Sequence, residues 1–170
     1  RDVAPSRGLG DVYKRQVGTF LGAKRRFEFW LKESGENGRA IIDDYAHHPD
    51  ELKASIRSVK ALYPGRKLTV VFQPHLYTRT RDFYRGFAEA LSLADEVILI
   101  PIYPARELPI PGVESEMILP LISGAKKEVV ARENLIDTIK NRNFEILLTA
   151  GAGDIADLVP GIARACGAPV

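Results

Sequence analysis

A chain of 170 residues is long enough for one domain with a buried core and short for two. A formal charge of +2, with basic residues dispersed among acidic ones apart from Lys24-Arg25-Arg26, gives no basic stripe of the kind that binds nucleic acid. Apolar runs of strand length argue against a membrane span, and a single cysteine, Cys166, excludes an internal disulfide framework and fits a reducing compartment.

Residues 1–16 are polar, carry Gly and Arg, and follow neither helical nor strand periodicity, so they are expected to be a disordered or non-native segment. No apolar segment follows their basic residues as a secretory signal would, and a cytoplasmic location is expected. The domain is expected to run from residue 17 to 170. Residues 26–32 alternate as a strand, Glu36-Asn37-Gly38 supplies turn chemistry, and residues 39–43 form a second strand, which predicts a hairpin. Pro49 stands where a first helical turn begins, with Leu52, Ile56, Val59 and Leu62 at helical spacing after it. Residues 68–72 read as a buried strand, and Phe83, Phe87, Ala90 and Leu91 as the apolar stripe of a second helix. A third core strand over 96–100 leads into a Pro-rich loop, 101–112. A helix over 114–123 despite Pro120, a short strand over 128–131 and a helix over 133–140 follow. Residues 145–149 are the last buried strand, and Ala150-Gly151-Ala152-Gly153-Asp154 opens a final helix. Buried strands joined by helices predict an α/β fold: an open, mostly parallel, Rossmann-like sheet with helices on both faces, preceded by the hairpin.

In such sheets ligands bind at the carboxyl ends of the strands, so the loops beginning at Asp43, Phe72, Ile100 and Thr149 carry the interest. All three histidines fall in two of them. His47 and His48 lie in Asp43-Asp44-Tyr45-Ala46-His47-His48-Pro49, and His75 lies in Phe72-Gln73-Pro74-His75-Leu76-Tyr77-Thr78-Arg79-Thr80-Arg81. Adjacent side chains diverge, which argues against a metal site in the first loop, and Cys166 is too remote to serve as a nucleophile there. Two readings of Asp44 stay open: a cap on the helix that starts near Pro49, or an acceptor for a ligand's hydroxyls, with Tyr45 or a histidine packed against a planar base. The second loop offers Arg79 and Arg81 as forks for a carboxylate or phosphate. Cations at a helix amino end are unfavourable unless an anion resides there. Gly151-Ala152-Gly153-Asp154 lacks the third glycine of a dinucleotide fingerprint and reads as a tight strand-to-helix turn. The chain has no Gly-rich phosphate loop ending in Lys-Ser/Thr.

These two long motifs, with Pro109-Ile110-Pro111-Gly112-Val113 and Gly151-Ala152-Gly153-Asp154-Ile155, resemble the C-terminal domain of the Mur ligase family over residues 17–165. The resemblance implies an ATP-dependent carbon–nitrogen ligase of peptidoglycan synthesis that activates a muramyl carboxylate as an acyl phosphate and couples it to an amine. Its partners would be ATP, L-alanine and UDP-N-acetylmuramate, with a tripeptide in place of alanine as the alternative. Mg2+ and the phosphate loop would belong to the central domain, the UDP-sugar to the N-terminal domain, and the C-terminal domain would be inactive alone. Carried over by position, Arg26, Asp44 and Tyr45 resemble ATP-binding residues, and His47, His75 and Arg79 resemble amino-acid-binding residues, with His48 and Arg81 as further candidates. Leu76 stands where many such enzymes carry a second arginine, so Arg79 or Arg81 would bear more of the amino-acid carboxylate. A non-catalytic nucleotide-binding module is the reading from a different class.

Overall fold

Strand β1 (Glu28–Lys32) pairs antiparallel with β2 (Ala40–Asp44), giving the expected hairpin. The computed structural model describes residues 25–169; the segment 1–16, the domain start at residue 17 and Lys24 lie outside the described residues. After β2 come α1 (Pro49–Leu62), β3 (Leu68–Phe72), α2 (Tyr77–Leu91), β4 (Glu96–Leu99), β5 (Lys126–Val129), α3 (Leu135–Lys140), β6 (Ile146–Ala150) and α4 (Val159–Ala165). The strands form one sheet in the order β1-β2-β6-β3-β4-β5, and every pairing except the hairpin is parallel.

Alternation within each strand assigns the two faces. Ile42, Val70, Phe72, Leu99 and Leu148 join one core with Leu52 and Ile56 of α1 and Phe87 and Leu91 of α2. Ile41, Val71, Ile98 and Leu147 join the other with Leu135 and Ile139 of α3 and Ile162 of α4. The sheet is therefore buried on both faces, as its near-continuous apolar strands require. Because β6 inserts between β2 and β3, the carboxyl ends of those three strands meet at the topological switch point.

Four local expectations need correction. Residues 114–123 do not form an α-helix: Ser115–Leu121 is a 3-10 helix, and Pro120 within it disfavours α-helical backbone at Leu119 before it. The short strand is Lys126–Val129 rather than 128–131, its register set by parallel pairing of Lys126 through Val129 with β4. The helix expected from residue 133 begins as a 3-10 turn, Arg132–Asn134, and the final helix is likewise preceded by one, Asp154–Asp157. Leu62 and Phe83, expected inside, are 56% and 39% exposed because they sit at the edges of their helical stripes.

Candidate functional site

Two histidines lie side by side at the carboxyl edge of the sheet, their ring centroids 6.2 Å apart. His47 Nδ1 donates to Tyr45 O at 2.9 Å, since a carbonyl oxygen only accepts, so in the neutral ring Nε2 is the acceptor. His75 is set the opposite way. Its Nδ1 accepts from Arg79 Nη1 at 3.1 Å, so Nε2 carries the proton and donates. Burial first, then the neighbouring cation Arg79 and His47, hold His75 below the ordinary histidine range. Tyr103, from the loop after β4, stacks on the His75 ring at 5.6 Å, and its backbone brackets the same segment: Leu76 N donates to Tyr103 O and Tyr103 N to Pro74 O, both at 2.9 Å. Tyr45, His47, His75 and Tyr103 thus form an aromatic row across the ends of the core strands.

One end of the row opens onto a cleft of about 300 Å3 lined by Arg26, Phe27, Asp44, Tyr45, Ala46 and Glu51. Arg26 is exposed and makes no hydrogen bond or ion pair among the described residues. Asp44 does not cap α1. Its Oδ1 accepts from Phe27 N at 3.3 Å and Tyr45 N at 2.9 Å, and Oδ2 accepts from the Ser55 hydroxyl, leaving about one of its roughly four acceptor positions open. The cap is His48, whose Nδ1 accepts from Asp50 N at 3.4 Å while Glu51 accepts from His48 N in return. His48 also packs edge-on against Phe83 at 4.9 Å, so its ring serves α1 and α2. Arg25, which the sequence reading passed over for its neighbour, ties the wall of the cleft together. Its Nε donates to the buried Asp43 at 3.2 Å, its Nη2 to Gly151 O at 2.6 Å, and its guanidinium lies 5.2 Å from the centre of the Tyr45 ring. Asp43 is accordingly structural: burial pushes its carboxyl up, opposed by the Thr149 hydroxyl at 2.6 Å and by Arg25.

The second loop divides between site and scaffold. Gln73 is buried and clamps the turn after β6, donating to Asp154 at 2.7 Å and accepting from Ile155 N at 2.8 Å. Arg81 is exposed and pairs with Asp82 at 2.8 Å, so of the two arginines Arg79 alone joins the histidines. Thr80 donates to Leu76 O, and Thr78 is engaged through both its N–H and its hydroxyl by Glu107. The anion that the basic first turn of α2 called for is therefore Glu107, supplied by the chain itself. Tyr103 and Glu107 were missed from sequence, although the loop after Ile100 was marked by its place at a strand end.

An open, mostly parallel α/β sheet with helices on both faces defines a Rossmann-like domain, and its histidines gather at the strand ends where such sheets bind ligands. Residues 25–153 match the family described as Mur ligase, glutamate ligase domain, and the chain belongs to that family. It is 52% identical over 163 residues to UDP-N-acetylmuramate–L-alanine ligase of Phocaeicola vulgatus, covering 94% of this chain and 35% of that protein. It is 53% identical over 146 residues to the enzyme of that name from Parabacteroides distasonis, covering 86% and 31%. The crystal structure of UDP-N-acetylmuramate–alanine ligase from Thermotoga maritima superposes with a TM-score of 0.64 at 26% identity, over 91% of this chain and 35% of that one. The chain thus spans about a third of the length of the relatives it matches.

Proposed function

We propose that the chain is the C-terminal domain of an ATP-dependent ligase that joins L-alanine to UDP-N-acetylmuramate, and that it receives the alanine. The observation that carries this reading is the opposed protonation of the two histidines beside Arg79. Arg79 and the Nε2–H of His75 present donors suited to a carboxylate, while His47 Nε2 presents a lone pair suited to an amine N–H. A receptor with two donors beside one acceptor matches a zwitterionic amino acid. His47 Nε2 would take one proton from the alanine ammonium, freeing the lone pair that attacks the acyl phosphate; as the C–N bond forms and the acyl C–O bond breaks, the second proton would leave with the released phosphate. Relatives sharing about half of their aligned residues with this chain are named for alanine as the incoming amino acid.

ATP would supply phosphoryl activation of the muramyl carboxylate. The cleft fits the outer part of a nucleotide: Arg26 for phosphate, the Tyr45 ring for a flat surface, and the open position of Asp44 for a hydroxyl. Among the described residues no three His, Cys, Asp or Glu side chains converge as a metal site. Mg2+ and the phosphate loop would accordingly come from the remaining two thirds of the protein, together with the UDP-sugar seat. A mobile domain that closes over an activated carboxylate shields it from water and orients the amine.

Steady-state kinetics of the full-length protein, with alanine varied at saturating ATP and UDP-N-acetylmuramate, test the reading. A charge-assisted bond is worth roughly 1.5–3 kcal/mol, so Arg79→Ala is expected to weaken alanine use about ten- to a hundred-fold. Arg79→Lys keeps the charge without the fork and is expected to recover part of the loss. Wild-type alanine dependence in both variants would place the carboxylate receptor elsewhere.

A further inference from the structure

The amino end of α2 cannot cap itself. Its N-cap is Leu76, apolar and held at φ 70°, and the first turn contains no acidic residue. Arg79 and Arg81 instead set two cations close to the positive end of the helix dipole. Glu107, far along the chain, completes the turn by accepting Thr78 N–H at 3.0 Å and the Thr78 hydroxyl. It is delivered by a tight turn in which Glu107 N donates to Pro104 O at 2.9 Å, with Ala105 at φ 51°. That turn begins beside Tyr103, whose ring lies on His75, so one loop grips the His75–Arg79 segment at two points. The hydrogen bonds from Thr78, and more weakly the charge of Arg81, hold the Glu107 carboxyl below the ordinary range.

We infer that Glu107 is a specificity-determining residue of the amino-acid seat and turns away acidic amino acids. The inference rests on the reading of Arg79 and His75 as the carboxylate receptor. With Glu107 absent, the seat would offer the uncapped N–H groups of the α2 amino end beside Arg79, a place for a second carboxylate. With Glu107 in place that second position already holds an anion, and an incoming side-chain carboxylate meets like charge. A methyl side chain is indifferent to it. The distinction matters in a family described by glutamate ligation, for a chain whose near relatives are named for alanine.

The test uses the full-length protein, measuring phosphate release with alanine and with glutamate at saturating ATP and UDP-N-acetylmuramate. Glu107→Gln keeps an oxygen for Thr78 N–H and removes the charge. The ratio of kcat/KM for alanine over that for glutamate is expected to fall about ten-fold or more, while Glu107→Asp, which keeps the charge, stays nearer the wild-type ratio. The ratio is independent of the fraction of folded enzyme, so Glu107→Ala serves equally if the glutamine variant folds poorly. An unchanged ratio in the uncharged variants, with both activities falling together, overturns the inference and leaves Glu107 a helix cap. A wild-type protein without alanine-dependent turnover overturns the underlying reading of the domain, and this inference with it.

Discussion

His75 shows how one side chain's surroundings select its chemistry. Burial and the Arg79 cation both disfavour its protonated form, so it remains the donor at Nε2 that a carboxylate needs. Its lowered pKa has a consequence for stability with a definite sign. Between that value and the ordinary histidine value near 6.5, the unfolded chain binds more protons than the folded one. The contribution of His75 is therefore fully present above about pH 6.5 and is lost as pH falls through the lowered pKa. Urea midpoints measured from about pH 7 down to pH 5 are expected to decline in the wild type, and the decline is expected to be shallower in His75→Gln. Parallel curves for the two proteins would show that burial and Arg79 do not hold His75 neutral.

Among the elements, the turn after β6 is under the tightest steric constraint. Gly151 has φ 142°, and a Cβ there would meet Gln73 O at 2.7 Å. At Gly153 a Cβ would meet Gln73 Oε1 and Tyr103 Cβ, each at 2.5 Å. These glycines give neither a phosphate cradle nor mere flexibility: they let the β6 turn close on the residues that support His75 and the final helix. Gly153→Ala must push aside Gln73, whose oxygen accepts from Ile155 N, or Tyr103, which stacks on His75. Overpacking of this kind costs about 1–3 kcal/mol, expected as a lower urea midpoint with little change in slope. A midpoint at the wild-type value would mean that the turn yields without disturbing its neighbours.

On the scale of the whole molecule, two cores on opposite faces of one sheet and no cysteine cross-link describe a unit able to fold alone. The isolated chain is expected to unfold in one cooperative transition, with fluorescence and circular dichroism coincident. It is also expected to show no alanine-dependent ATP hydrolysis, because it has no Gly-rich phosphate loop ending in Lys-Ser/Thr and, among the described residues, no metal-holding cluster. Turnover that persists in this chain through successive purification steps would locate the chemistry here instead.

The sheet, the hairpin and the strand ends that carry the histidines were legible in the sequence because each depends on local periodicity and turn chemistry. Leu68–Phe72 is apolar except for Thr69, and Pro49 with the spacing of Leu52, Ile56 and Val59 defines a helix without reference to anything distant. That the two histidine-bearing loops lie together was readable too, since both leave the carboxyl ends of core strands, but the same reasoning also admitted His48 and Arg81, which bond elsewhere. What tertiary structure alone decided are the partners. Whether Asp44 caps a helix or faces a cleft depends on Phe27 and Ser55, and which proton each histidine carries depends on Tyr45 O and Arg79. Glu107 reaches Thr78 across 29 residues, and Arg25 reaches Gly151 across 126. Such pairings leave no period in the sequence, because only the packed sheet brings the groups within hydrogen-bonding distance.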